Sequence, residues 1–263
     1  VAKLLLFDID GTLVLTGGAG VRAMSRAFED LFGIADAFRS THMPGRTDAW
    51  ILADAAAAHG IPPDALDSFL DAYLVHLARE IELPGPRKGV MPGVRPLLEA
   101  LSARDDVWLA LLTGNYERAA RVKLEHFDLW RFFRCGAFGD AAPDRNGLLA
   151  KAVERVRASG GPALDPSEIV VIGDTPLDVA CAAAGGARSV AVGTGGYSVE
   201  TLRDAGADAV LPDLSDLEAT LDAMELAEAP RSRTEPPRVS REQPVLKTGR
   251  TTGPRSLPDR TES

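Results

Sequence analysis

The chain has 263 residues, 45% of them hydrophobic and 25% charged, the composition of an ordinary globular protein with room for one large domain or two smaller ones. A net charge of −9 argues against nucleic acid as the main partner, and no apolar stretch approaches the ~20 residues that cross a bilayer, so no membrane partner is expected. Cys135 and Cys181 form no Cys-x-x-Cys pair and the first strand candidate leaves no room for a signal peptide, so free thiols and a cytoplasmic location are expected.

The first element is the run Leu4-Leu5-Leu6-Phe7, short, continuous and stopped by Asp8-Ile9-Asp10-Gly11. That pattern predicts a strand buried on both faces, as in the middle of a parallel sheet. Side chains two apart on an extended chain project to one side, so Asp8 and Asp10 can meet a common target. Two carboxylates held that close repel unless a cation or a proton lies between them. A solvated Asp-rich turn capping the next helix is the plainer alternative.

Between this strand and the next candidate, at 107–112, helical patterns appear at 20–32, 47–59 and 64–81 with no convincing strand. A connection of this length is no simple crossover and reads as an inserted helical subdomain at 15–88. Gly17, Gly18 and Gly20 mark one junction and ELPGPRKGVMPG (82–93) the other, joints that would let it tilt over the sheet as a lid. Trp50 is expected in its core.

Beyond the insertion, apolar runs alternate with helical patterns, the mark of an α/β fold with a mostly parallel sheet. Strands are expected at 107–112, 135–138, 169–172, 189–192 and 209–211, and helices at 94–103, 117–126, 148–158, 177–184, 199–205 and 214–223. The strand at 107–112 ends in Thr113-Gly114-Asn115, a hydroxyl and backbone N–H groups that suit a phosphate oxygen, although Thr before Gly at a helix start is also common capping. The strand at 169–172 ends in Gly173-Asp174-Thr175-Pro176-Leu177-Asp178, with Asp174 either a site carboxylate or the cap of the helix that follows. VGTGGYS (192–198) lacks the spacing of a dinucleotide loop and reads as a plain turn. From residue 230 the chain turns Pro-rich and aromatic-free, with eight Lys or Arg against four Asp or Glu, leaving −13 on the part before it. This tail is expected to be disordered.

Open parallel sheets place ligands at the carboxyl ends of their strands. Three strands here deliver Asp8 and Asp10, Thr113, then Asp174 and Asp178 to that rim. A hard divalent cation with oxygen ligands relieves such crowding, and Mg²⁺ is the usual one beside phosphate. No His/Cys cluster suggests zinc.

DIDGT (8–12), TGN (113–115) and GDTPLD (173–178), with a helical insertion after the first, resemble the haloacid dehalogenase superfamily over about residues 1 to 222. The position of the insertion resembles that of its helical-cap phosphatases of the phosphoglycolate-phosphatase type. The resemblance implies a Rossmann-like core of residues 1–14 and 89–229, a helical cap of residues 15–88, and a Mg²⁺-dependent phosphatase acting on a small phosphate ester as a monomer or homodimer. It implies Asp8 as nucleophile forming an aspartyl-phosphate, and Asp10 as acid and then base. Metal would be held by the Asp8 carboxylate, the Asp10 main-chain carbonyl and Asp174, with Asp178 supporting. Phosphate oxygens would be held by Thr113 and the N–H groups around Gly114 and Asn115.

Relatives supply one further cation after the third strand; Arg145 is the first candidate and Lys151 the second, each with a surface salt bridge as its alternative. Relatives of this layout also turn a Gly-Arg-Thr segment toward the site. This points to HMPGRTD (42–48), where the planar fork of Arg46 suits a carboxylate or second phosphate on the leaving group. A surface Arg beside a Pro-Gly turn is the alternative for Arg46. Asp10 disfavours the dehalogenases of the superfamily, and the absence of lysine between Lys3 and Lys88 disfavours its phosphonoacetaldehyde hydrolases. A sugar phosphomutase would carry a His after the first motif and a cap Lys, which this chain lacks. A receiver-like module is about half as long, and a non-catalytic phosphate-binding protein would normally have lost one acid.

Overall fold

The computed structural model describes residues 2–141 and 145–226, so the tail from residue 230 lies outside the described residues. In chain order the strands are β1 (Lys3–Phe7), β2 (Val14–Leu15), β3 (Gly89–Val90), β4 (Val107–Leu112), β5 (Gly136–Ala137), β6 (Ile169–Gly173), β7 (Arg188–Val192) and β8 (Ala209–Leu211). The helices are α1 (Ala19–Phe32), α2 (Asp48–Ala58), α3 (Phe69–Glu80), α4 (Val94–Ser102), α5 (Glu117–His126), α6 (Asn146–Ala158), α7 (Pro176–Ala184), α8 (Val199–Asp204) and α9 (Leu217–Ala223).

Six strands form one parallel sheet in the order β5-β4-β1-β6-β7-β8, with β1 between β4 and β6. The continuous apolar run of β1 follows from burial on both faces. Leu5 and Phe7 pack with Leu97 and Leu101 of α4 and Leu124 of α5, while Leu4 and Leu6 pack with Leu148 of α6 and Ala182 of α7. A slip of one residue would exchange the two faces, so this pairing specifies the register.

Helices α1, α2 and α3 enclose an apolar cluster of their own around Phe28, Phe38, Phe69 and Tyr73, which also reaches Ala119 of α5. Their chain departs after β2 and returns through β3, and these two strands pair antiparallel as Val14 with Val90 and Leu15 with Gly89. This pair corrects the expectation of no strand before residue 107; two residues per strand are too few to show a period. The helix expected at 64–81 is also two elements, a 3-10 turn at Pro63–Leu66 and then α3. Asp64, Asp67 and Ser68 are weak helix formers that compete for backbone hydrogen bonds at the break. The last helix starts at Leu217 rather than 214, because Asp216 caps it by accepting from Ala219 N, and Leu214 is buried in the loop before it. Among the described residues, no helix is long and apolar enough to cross a membrane.

Candidate active site

Phe7 is in register with Leu111 on one side and Ile172 on the other. Asp8, Thr113 and Asp174 therefore leave β1, β4 and β6 within one residue of the same height. They emerge at the carboxyl edge, where the strand order reverses beside β1, the place where open α/β sheets bind ligands. All three line a cavity of about 290 Å³ whose opposite wall comes from the helical insertion, including Met24, Arg46 and Tyr73.

Asp8, Asp174 and Asp178 are buried, and each offers a carboxylate oxygen within 4.8 Å of the others. Arg145, just before α6, closes one side of this trio. Its Nη2 lies 3.0 Å from Asp8 Oδ1 and also pairs with Asp178, while Nη1 donates to the Gly45 carbonyl at 3.2 Å. Its Nε–H is buried without a hydrogen-bond partner among the described residues. Asp178 also accepts from Thr175 N at 3.0 Å and Thr175 Oγ1 at 2.7 Å. Thr175, not Asp174, is thus the cap of α7, which leaves Asp174 to the cavity.

Asp174 accepts from Thr12 Oγ1 at 3.1 Å. Gly195, in the loop after β7, lies so close that a Cβ there would come 1.7 Å from Asp174 Oδ2; at Gly11 it would come 2.4 Å away. The segment read as a plain turn at 192–198 is therefore a wall of the site.

Burial pushes Asp8 up to about 6; Arg145 pulls it down, while Asp178 and Asp10 push it further up. Asp174 rises well above the ordinary carboxylate range, first from burial and then from Asp8 and Asp178. Three buried carboxylates against one guanidinium are short of positive charge. An all-oxygen set this compact fits a hard divalent cation such as Mg²⁺ and lacks the nitrogen and sulfur donors of a zinc centre.

Asp10 lines the same cavity as Asp8. Its carboxylate accepts from Lys123 Nζ at 2.6 Å and Asn115 Nδ2 at 2.8 Å, and it stands outside the acidic trio. The main-chain carbonyl of Asp10, which the resemblance assigns to the metal, is a separate matter from this side chain. Thr113 Oγ1 accepts from Asn115 N at 3.3 Å and Asn115 Nδ2 at 2.9 Å.

Lys151, the second candidate for the phosphate cation, is outside the cavity. It is half exposed on α6 and paired with Glu154 at 2.9 Å, because the inward face of that helix is taken by Leu148, Leu149, Ala152 and Val156. Arg46 does line the cavity, with its guanidinium 3.7 Å above the ring of Trp50. Trp50 is 38% exposed, which corrects the expectation that it sits in the core of the insertion.

Lys123 and Asp48 are among the site residues that went unread in the sequence. Lys123 lines the cavity from α5, and the available signal was a lysine inside the apolar stripe Ala119, Ala120, Leu124. Asp48, at the first turn of α2, accepts from Tyr116 N at 3.0 Å, and its own N–H donates to the Gly114 carbonyl at 2.7 Å. This docks the insertion on the Thr113-Gly114-Asn115 loop. Gly114 permits the approach, since a Cβ there would meet the Arg46 carbonyl at 2.1 Å.

The family model described as haloacid dehalogenase-like hydrolase matches residues 2–186. The chain belongs to this family. A phosphoglycolate phosphatase of Rhodospirillum rubrum is 32% identical to it over 224 residues, covering 82% of this chain and 89% of that one. Among solved structures, a hydrolase from Pseudomonas syringae superposes with a TM-score of 0.63 at 23% identity, covering 84% of this chain and 98% of that one. CbbY from Rhodobacter sphaeroides, solved in complex with phosphate, gives 0.65 at 19% identity, covering 84% and 100%. These last two likenesses establish the fold.

Proposed function

We propose that this family member is a Mg²⁺-dependent phosphatase that hydrolyses a small phosphate ester through an aspartyl-phosphate on Asp8. The observation that carries the reading is the acidic trio Asp8, Asp174 and Asp178, closed by Arg145, at the carboxyl edge of the sheet. Asp8, Asp174 and the Asp10 main-chain carbonyl would hold Mg²⁺, with Asp178 supporting. When bound, the ion neutralises phosphoryl charge so that one anion can approach another.

In the first step an Asp8 oxygen forms a bond to phosphorus as the ester P–O bond breaks, and Asp10 gives its proton to the departing oxygen. In the second step Asp10 takes a proton from water as that water bonds to phosphorus and the Asp8–phosphorus bond breaks. Thr113 and the N–H groups of Gly114 and Asn115 hold phosphoryl oxygens. The Nε–H of Arg145, unpartnered among the described residues, is a buried donor that a phosphoryl oxygen would satisfy.

The relative named phosphoglycolate phosphatase supports a substrate whose leaving group carries a carboxylate, with Arg46 as its partner. The helical insertion would act as a lid over this group. The mutase reading finds no support in a lysine of the insertion: Lys88, the first after Lys3, donates to the carbonyls of Ile81 and Leu83 and does not line the cavity.

The test is turnover of 2-phosphoglycolate and p-nitrophenyl phosphate by purified protein with Mg²⁺. Activity should vanish with a chelator, return with Mg²⁺, and be absent in Asp8→Asn. Equal rates for the wild type and Asp8→Asn would overturn the proposal.

A further inference from the structure

Lys123 is a charged side chain only 4% exposed, on a helix face otherwise made of Ala119, Ala120 and Leu124. Burying an ammonium is expensive unless its donors are used. Here Nζ donates to Asp10 Oδ2 at 2.6 Å and to Asn115 Oδ1 at 2.5 Å. Burial alone would lower its pKa, but the charges of Asp10 and Asp48 outweigh that and hold it above its ordinary value. Its tip is enclosed by the insertion, since a Cβ on Gly20 of α1 would lie 3.5 Å from Nζ and 3.7 Å from Tyr73 Oη of α3. Asn115 completes a triangle by donating to the same Asp10 oxygen at 2.8 Å.

The consequence for Asp10 is directional. Its carboxyl stands on the chain after β1 has ended, two residues from Asp8, and lines the cavity that Arg145 also lines. Lys123 and Asn115, both donating to one of its oxygens, fix its direction within the cavity. Without these two contacts the carboxyl would be free to rotate about its side-chain bonds.

We propose that Lys123 is a positioning residue for the leaving-group step, holding the Asp10 carboxyl where it can deliver its proton to the departing ester oxygen. This rests on the phosphatase reading above. Lys123 itself loses no proton: the proton moves from Asp10 to the ester oxygen as the P–O bond breaks, and Asn115 keeps the second contact.

Leaving-group dependence tests it, because kcat/KM covers only the steps through departure of the leaving group. An alkoxide leaving group needs the Asp10 proton and 2,4-dinitrophenolate does not. Lys123→Met should therefore lower kcat/KM on 2-phosphoglycolate by ~10²-fold or more beyond its loss on 2,4-dinitrophenyl phosphate. Lys123→Gln, which keeps a donor, should recover part of that excess. Equal losses on the two esters in both variants would overturn the proposal, and if Lys123→Met does not fold, an unchanged ratio in Lys123→Gln does so alone. A wild type no more active than Asp8→Asn removes the phosphatase reading itself. A wild type that is active, with variants that lose both esters alike, removes only the role of Lys123.

Discussion

Asp48 places a carboxyl at the seam between the helical insertion and the sheet, where its environment turns into a pH-dependent stability. It is buried, and burial pushes it from the ordinary 3.8 up to about 6, against the opposing pull of Lys123 and of the Tyr116 N–H it accepts; Asp10 and Asp140 push it further up. Between those two values the native chain binds a proton that the unfolded chain has released. The contribution to stability is therefore complete below the unfolded value and is lost as pH rises through the folded one, a change of ~3 kcal/mol for about two pK units. Asn at this position keeps an acceptor for Tyr116 N–H and cannot ionise. The unfolding free energy of Asp48→Asn, measured against wild type by urea denaturation, should gain ~2.4 kcal/mol on it between about pH 4 and about pH 7. Comparing the two proteins at each pH cancels the titration of every other group they share. A difference that stays flat across this range would refute the reasoning, and one that moves in favour of wild type would mean that Lys123 dominates over burial.

Arg145→Ala leaves Asp8 and Asp178 buried without their cation, a stability loss of ~3–5 kcal/mol, and removes the guanidinium that would stabilise the phosphoryl group, so kcat/KM should separately fall by ~10²-fold or more. Lys151→Ala, on the solvent face of α6, should stay within about twofold of wild type in the same assay, and the reverse order would overturn the assignment. Arg46→Ala should raise KM for 2-phosphoglycolate by ~10-fold or more while leaving p-nitrophenyl phosphate nearly unchanged, as expected for a lost charge-assisted contact; equal effects on both would refute a specificity role.

The architecture was legible because its strands are buried on both faces. Runs such as Leu4–Phe7 and 169–172 read as central parallel strands from composition alone, and the polar residues that stop them are the ones at the carboxyl edge. The resemblance pointed to Arg145 first and Lys151 second as a cation; the helical face turns Lys151 to solvent, while Arg145 reaches Asp8 and Asp178. The short pair β2 and β3 was not legible, since two residues carry no period. Leu214 misled the reading of the last helix because a buried leucine in a loop looks the same as one on a helix.

By itself, the order of residues determined which strands form the centre of the sheet and that Asp8, Thr113 and Asp174 stand at their ends, since burial and period are properties of a local run. Only the tertiary structure decided which charge each acid faces. Asp10 meets Lys123 across 113 positions, Asp48 meets the backbone of Tyr116 across 68, and Gly195 closes over Asp174 from another strand. Such pairings depend on how elements far apart in the chain pack together, and electrostatic partners at that distance leave no period in the sequence.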